Sequence, residues 1–320
     1  MISVVIATYN RRSLLERTLG ALEEQRVPRD GFEVIVADNG STDDTSALLA
    51  VVQSRGRIDL RVVTVAEPGK SVALNVAMPQ AKGDVLAFTD DDVVPEPEWL
   101  AAIERAFEAA EVDFVAGRIL PLWEAPPPAW LSPALYGVVA VPDGGPDRQV
   151  IGGTGSSIMP IGTNLALRRG VIDRLGGWRT DLGKLRGTLR TGEDHEFFVR
   201  MLRAGCRGVY EPGARVGHFV PAGRLRQAYF REWFRGNGRV VALLEEEYPT
   251  TRRYVLGVPG YLWRTAFRDL GRAARAAVSG SAADRFASGV RLRWFAGYLQ
   301  QCWRLRLKPG LRLSAEPTSS

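Results

Sequence analysis

The sequence predicts an α/β protein in which a mostly parallel sheet is flanked by helices and followed by a basic helical C-terminal extension. Two observations predict it. Over residues 1–117, short apolar runs alternate with amphipathic stretches at a spacing that builds right-handed βαβ units. From residue 225 onward the pattern turns helical and basic. Residues 251–320 carry 13 Lys/Arg against 3 Asp/Glu, a net +10, while residues 1–250 carry a net −4.

The elements follow in order. Residues 2–7 (ISVVIA) are a β-branched run that reads as a buried strand. Ser13 and Glu16 make a capping box that opens a helix, with Leu15, Leu19 and Leu22 on one face. Residues 33–37 (EVIVA) form the second strand, Asp38-Asn39-Gly40-Ser41 a turn, and 42–54 a helix. Residues 60–65 (LRVVTV) form the third strand, and 70–81 a helix that Pro79 ends or distorts. The fourth strand is 84–89 (DVLAFT); Pro97 starts a helix over 97–110, and 112–117 is the fifth strand. Residues 120–162, rich in Pro and Gly, read as a long, partly mobile loop over the site. A short helix spans 168–175 and ends at Gly176-Gly177. A longer one spans 192–205, with acids at its start, Arg near its end and Gly205 as cap. A strand over 214–216 precedes His218.

Composition narrows the function. At 320 residues the chain supports one large core, or a core with an appendage. Hydrophobic content of 45% and charged content of 24% are ordinary for a soluble globular protein. No apolar run reaches about 18 residues, the length a spanning helix needs. Met1 runs straight into a strand, which predicts no signal peptide and a cytoplasmic location. Two cysteines and two histidines exclude a Cys-based zinc cluster and a multi-His metal site. The acidic body argues against a nucleic-acid partner. Phosphate-gripping G-x-x-x-x-G-K-[ST] and G-x-G-x-x-G motifs are missing, as is a G-x-S-x-G elbow; Gly152-Gly153-Thr154-Gly155 sits between no clear strand and helix.

Ligands of a parallel sheet bind beyond the carboxyl ends of its strands. Here strand one ends in Thr8-Tyr9-Asn10, strand two in Asp38-Asn39 and strand four in Asp90-Asp91-Asp92. Three consecutive carboxylates repel one another unless a cation lies among them, and hard divalent ions such as Mg²⁺ or Mn²⁺ take carboxylate and phosphate oxygens together. The plainer reading is a solvated turn before Pro95. Asp38 fits a ligand for base or ribose and fits an Asx turn equally well. Glu193-Asp194 reads as a helix-capping pair or as a general base, and His195 beside it could serve too. His218 completes a metal site or simply packs.

Five blocks in order — ISVVIATYNR, EVIVADNGSTDDT, GDVLAFTDDD, GTNLALRR and GEDHEFFVRMLRAG — together resemble the inverting family 2 glycosyltransferases of bacterial polysaccharide type. The resemblance covers roughly residues 1–220 and implies the Rossmann-like GT-A fold. It implies a GT-A catalytic domain over 1–222, divided into a nucleotide-sugar half (1–118) and an acceptor half (119–222). A helical basic region (223–313) and a disordered tail (314–320) follow. It also implies roles. Ala7, Thr8, Tyr9 and Asn10 would line the nucleotide, and Asp38 would recognise base or ribose. Asp90 would lean to ribose and metal and Asp92 to the metal, with Asp91 least engaged and His218 a further metal ligand. Gly162, Thr163 and Asn164 would lie at the donor sugar or acceptor, and Asp194 would be the catalytic base with Glu193 nearby. Many members carry an Arg before the Asn in the helix after strand three. This chain has Leu74-Asn75; Asn75 would bind the nucleotide-sugar, and Lys70 would supply the missing cation toward the diphosphate.

The implied reaction is transfer from a nucleotide-sugar, a UDP-sugar foremost, to a hydroxyl of a glycan or lipid-linked acceptor, with Mn²⁺ or Mg²⁺ as cofactor. Within 254–313, Tyr261, Trp263, Phe267, Trp294, Phe295 and Trp303 interleave with arginines. Such a segment either lies on an anionic membrane surface, at the cytoplasmic face of the inner membrane, or packs as a basic helical pair on the core. Two other readings stay open. A sugar-phosphate nucleotidyltransferase would carry a Gly-rich basic loop after strand one, where Asn10-Arg11-Arg12 supplies only the charge. A non-catalytic sugar- or lipid-binding module would carry damaged acid motifs, and both are intact.

Overall fold

The computed structural model describes residues 1–152, 158–183 and 191–307. By their contacts these form two compact units. The first is Met1–Glu124, Ala140–Arg186 and Glu193–Val220; the second is Ala125–Val139, Gly187–Gly192 and Pro221–Ser320. The division falls after Val220, and Ala125–Val139 belongs to the second unit. The tail 314–320 and most of the Gly-rich run at 152–155 lie outside the described residues.

In chain order the first unit contains β1 (Ile2–Thr8), α1 (Arg12–Glu23), β2 (Phe32–Asp38), α2 (Thr45–Arg55), β3 (Asp59–Thr64) and α3 (Lys70–Ala77). Then come β4 (Val85–Asp90), β5 (Val93–Pro95), α4 (Trp99–Ala106), β6 (Phe114–Trp123), β7 (Gln149–Ile151), β8 (Asn164–Arg168), α5 (Arg169–Leu175), α6 (Glu193–Arg203) and β9 (Gly208–Val220). The sheet runs β3-β2-β1-β4-β8-β6-β9-β5, with β7 beside β9. Strands β3, β2, β1 and β4 are parallel, as the alternating pattern predicts. Their apolar runs are buried on both faces: Val4, Val5, Ile6, Val34, Ile35 and Val36 have no exposed surface.

The other half departs from the expectation. The fifth strand expected at 112–117 is β6, and it does not sit beside β4. The short β8 lies between them, antiparallel to both. Its five residues, NLALR, run directly into α5; the sequence pattern assigns 164–167 to no element and places Arg168 in the helix. The long loop expected over 120–162 is partly ordered: β6 continues to Trp123, a 3-10 turn spans Pro133–Val139, and β7 joins the sheet. Pro121 is tolerated in β6 because β8 pairs only with Phe114, Val115 and Ala116, so beyond them that side of β6 has no ladder to lose. No described residue of that loop lines the pocket at the sheet edge.

The expected capping box does not form. Helix α1 starts at Arg12, so Ser13 falls inside the first turn, and the Arg12 N–H donates instead to Asp43 (3.2 Å). Its apolar face is as predicted, with Leu15, Leu19 and Leu22 buried. Pro79 does end α3, where the chain tightens into a 3-10 turn over Met78–Gln80.

The second unit holds α7 (Gln227–Glu247), a small hairpin of β10 (Tyr254–Val255) and β11 (Val258–Pro259), α8 (Gly260–Ser279) and α9 (Ala282–Leu307). Helices α7 and α9 cross very closely. A Cβ on Gly238 would lie 2.1 Å from the Trp294 carbonyl oxygen, and one on Gly297 would lie 2.2 Å from that of Arg235. Only glycine fits at either point. Leu262, Val258, Tyr298 and Cys302 make the core of this unit. Among the described residues, no helix is long and apolar enough to cross a membrane.

Candidate active site

The parallel half brings three strand ends into line. Thr8 pairs in register with Asp38, and Ala7 with Asp90. Beyond this edge lies a pocket of about 220 Å³. Of the residues expected at the site, Ala7, Thr8, Tyr9, Lys70, Asp90, Asp91, Asp92 and His218 line it; Arg11, Asn39 and Gly69 line it too.

The acidic run is divided by backbone direction. Asp91 turns inward, where one oxygen accepts from the Thr8 hydroxyl (2.8 Å) and the other from Arg11 (2.9 Å). Burial pushes its pKa up to about 6, against the pull of Arg11. The residue expected to be least engaged thus locks the edge together. Arg11 also donates to Asp92 (2.8 Å). Burial works against the Arg11 charge, but Asp91 and then Asp92 hold its pKa above the ordinary value. Arg11 was legible as the first charge after strand one; its partners were not.

The strand β5, too short to be read from sequence, explains His218. It pairs antiparallel with β9 so that Val93 faces His218, which carries the imidazole next to Asp92 (Nε2 to Oδ1, 3.3 Å). Ligand atoms of Asp90, Asp92 and His218 all lie within 4.8 Å of one another. The His218 Nδ1 is buried and has no hydrogen-bond partner. Two carboxylates and an imidazole with an unsatisfied nitrogen fit a divalent cation.

Lys70, the first residue of α3, pairs with Asp90. Burial alone would lower its pKa, but Asp90 first, then Asp194 and Glu193, hold it above the ordinary value. One half-buried ammonium therefore lies in the field of both the acidic run and the Glu-Asp pair. Thr163 joins the same cluster, its hydroxyl donating to Asp90 (2.8 Å). Burial lowers the pKa of His195, the other base considered.

Asp194 has its own support. Its Oδ1 accepts from the Trp178 indole N–H (3.2 Å), and a Cβ on Gly162 would come within 3.1 Å of the same oxygen. Trp178 stacks on Phe197 and meets Phe88 edge-on. Asn75 clamps its backbone, donating to the Trp178 carbonyl (2.7 Å) and accepting its N–H (2.9 Å). Asn75, expected at the donor, thus supports Trp178, which the sequence reading missed.

The structure places three further expected residues outside the pocket lining. Asn164 is buried, accepts from the Trp99 indole (2.9 Å) and donates to the carbonyls of Arg118 and Ala214. Its amide joins strands and helix α4 rather than lining the pocket. Asn10, at φ 51°, accepts from the Thr42 N–H (2.6 Å) and ties two loops together outside the pocket. Asp38 accepts the Ser41 N–H (2.9 Å), closing the Asx turn, and does not line the pocket. Its neighbour Asn39 does, and also holds the loop before α3 by donating to Val65 and Glu67 and accepting from Gly69.

Comparison with known proteins points the same way as this arrangement. Residues 3–176 match the profile of glycosyl transferase family 2. The succinoglycan biosynthesis protein ExoM of Rhizobium meliloti is 30% identical over 248 residues, 75% of each chain. The glycosyltransferase AglE of Haloferax volcanii is 33% identical over 119 residues, 37% of this chain but only 39% of that one. Among solved structures, the mannosyltransferase PcManGT from Pyrobaculum calidifontis, in complex with GDP-Man and Mn²⁺, superposes with a TM-score of 0.63 at 22% identity, covering 95% of this chain and 87% of that one.

Proposed function

The chain belongs to glycosyl transferase family 2 and is a glycosyltransferase with the GT-A fold, and from that premise we propose that it transfers a sugar from a nucleoside-diphosphate sugar, with inversion, to a hydroxyl of a glycan or lipid-linked acceptor in cell-surface polysaccharide synthesis. The observation that carries this reading is the cluster of Asp90, Asp92 and His218, whose ligand atoms lie within 4.8 Å of one another beside the Lys70–Asp90 pair. A leaving diphosphate at Asp90 and Lys70 and a general base at Asp194 face one acceptor position in this reading.

In this reading Tyr9 and Ala7 take the nucleotide at the pocket wall, and Asn39 steadies the loop carrying Gly69 and Lys70. Asp90, Asp92 and His218 would hold the cation. Mn²⁺ suits that mixed oxygen and imidazole set better than Mg²⁺, which favours oxygen ligands throughout. A bound cation supplies charge neutralisation to the departing diphosphate. Lys70 supplies a second, permanent positive charge there. Asp194, oriented by Trp178, takes the proton of the acceptor hydroxyl as its oxygen attacks the anomeric carbon opposite the leaving group, and one displacement inverts the centre. PcManGT binds GDP-Man and Mn²⁺, and ExoM is named for succinoglycan biosynthesis; both support the donor class and the polysaccharide role.

The test is Asp194→Asn. Transfer is expected to fall by about a thousandfold, within the range for a lost general base, while titration with the nucleoside diphosphate and Mn²⁺ gives a Kd within about threefold of the parent. Transfer at the parent rate would overturn the assignment.

A further inference from the structure

Helix α8 of the second unit has an outer surface that the site chemistry does not use. At about 100° per residue, Arg264, Arg268, Arg272 and Arg275 fall within roughly 80° of arc. Phe267, Leu270, Ala274 and Val278 fall within another arc of roughly 80° beside it. The inward line is Leu262, Asp269 and Ala276, all buried, on the opposite side. The outward face is therefore half arginine and half apolar.

Both halves are open. Phe267 is 68% exposed, Leu270 56% and Val278 90%. Among the described residues, Arg264, Arg268 and Arg275 enter no ion pair; Arg272 shares Asp269 with Arg291. Exposed apolar side chains alone would mark any docking surface. The adjoining guanidinium row, in which Arg264, Arg268 and Arg275 enter no ion pair among the described residues, selects an anionic partner, and an anionic lipid surface takes up both halves along a helix about 30 Å long.

We propose that α8 is an in-plane membrane anchor. Phe267, Leu270 and Val278 would enter the headgroup region of an anionic bilayer, and the Arg264, Arg268 and Arg275 guanidiniums would meet lipid phosphates beside them. This deepens the reading of a lipid-linked or surface acceptor, since it holds the enzyme where such an acceptor lies. It is tested by binding rather than transfer, so its failure leaves the transferase reading standing.

The experiment is flotation of the full chain with vesicles of phosphatidylcholine alone and with 30% phosphatidylglycerol. Binding is expected only to the anionic vesicles, with release at high salt as the Debye length shrinks. The triple variant Arg264→Gln, Arg268→Gln, Arg275→Gln is expected to lose roughly a hundredfold in partition, about fivefold per arginine. Phe267→Ser with Leu270→Ser is expected to lose about tenfold. All five positions are exposed, so an unchanged thermal midpoint shows that the fold is intact. Two results would overturn the proposal. One is no binding of the parent to anionic vesicles. The other is loss in the arginine variant with none in the apolar one, alongside equal capture by a soluble anionic polysaccharide, which would make the face a polyanion groove.

Discussion

At the carboxyl edge of the sheet Arg11 and Lys70 meet buried carboxylates, whereas along α8 Arg264, Arg268 and Arg275 stand in solvent with no ion pair among the described residues. The same kind of charge has two uses. In the first unit Lys70 holds Asp90 and Arg11 holds Asp91 and Asp92 in the pocket, where a buried charge without a partner is costly. In the second unit the exposed Arg264, Arg268 and Arg275 contribute almost nothing to folding; their effect is a field that extends about a Debye length into solvent. Pairing thus separates charges that build a site from charges that face a partner.

That contrast can be broken at either end. The largest stability effect should come from Arg11→Met, which leaves Asp91 and Asp92 buried without their guanidinium. A fully buried pair broken this way costs about 3–5 kcal/mol. Arg11 is 37% exposed, so solvent screens part of the loss and roughly 2–3 kcal/mol is expected. Denaturant titration of the parent and variant measures it, and a change under about 0.5 kcal/mol would mean the site charges are no more fixed than those of α8.

Next in size is Trp178→Phe. The ring stack on Phe197 survives, but the N–H to Asp194 is lost. A roughly tenfold fall in kcat, about 1.4 kcal/mol of barrier, is expected with the donor KM unchanged. If KM rises and kcat holds, Trp178 shapes the donor pocket instead of positioning the base. The smallest effect should be Arg268→Gln with Arg275→Gln, within about 0.5 kcal/mol of parental stability and with unchanged transfer to a soluble acceptor. A larger loss of stability would show that these arginines have a partner in folding.

Much of the first unit was legible because its signals are local. A run such as ISVVIA can only be buried, and a helix between two such runs forces a right-handed parallel crossover. Thr8, Tyr9 and the acidic run follow directly, since strand ends in such a sheet share one edge, whereas Ala7 and Lys70 entered only through the family resemblance. The short strands were not legible. Val93–Pro95 and Asn164–Arg168 are held by antiparallel pairing with distant partners, and three to five residues carry too little periodicity to declare it. The same limit hid the Trp99 partner of Asn164, 65 residues away, and the clamp of Asn75 on Trp178, 103 residues away.

By itself the sequence determined the α/β core, the edge at which chemistry gathers, the Asp run as its centre and the basic character of the C-terminal helices. These follow from pattern and composition within windows of a dozen residues. Only the tertiary structure decided which polar groups face the pocket and which are consumed in holding it. Asp91 and Asp92 sit side by side in sequence, yet the first is consumed by Thr8 and Arg11 while the second stands beside His218. Asn164 and Thr163 divide in the same way, the one holding strands together and the other reaching Asp90. The reason is that Asp91, Asp92 and Thr163 sit in turns flanking β4 and β8, where the backbone direction changes from one residue to the next. Which face is buried depends on the strand that arrives from elsewhere in the chain.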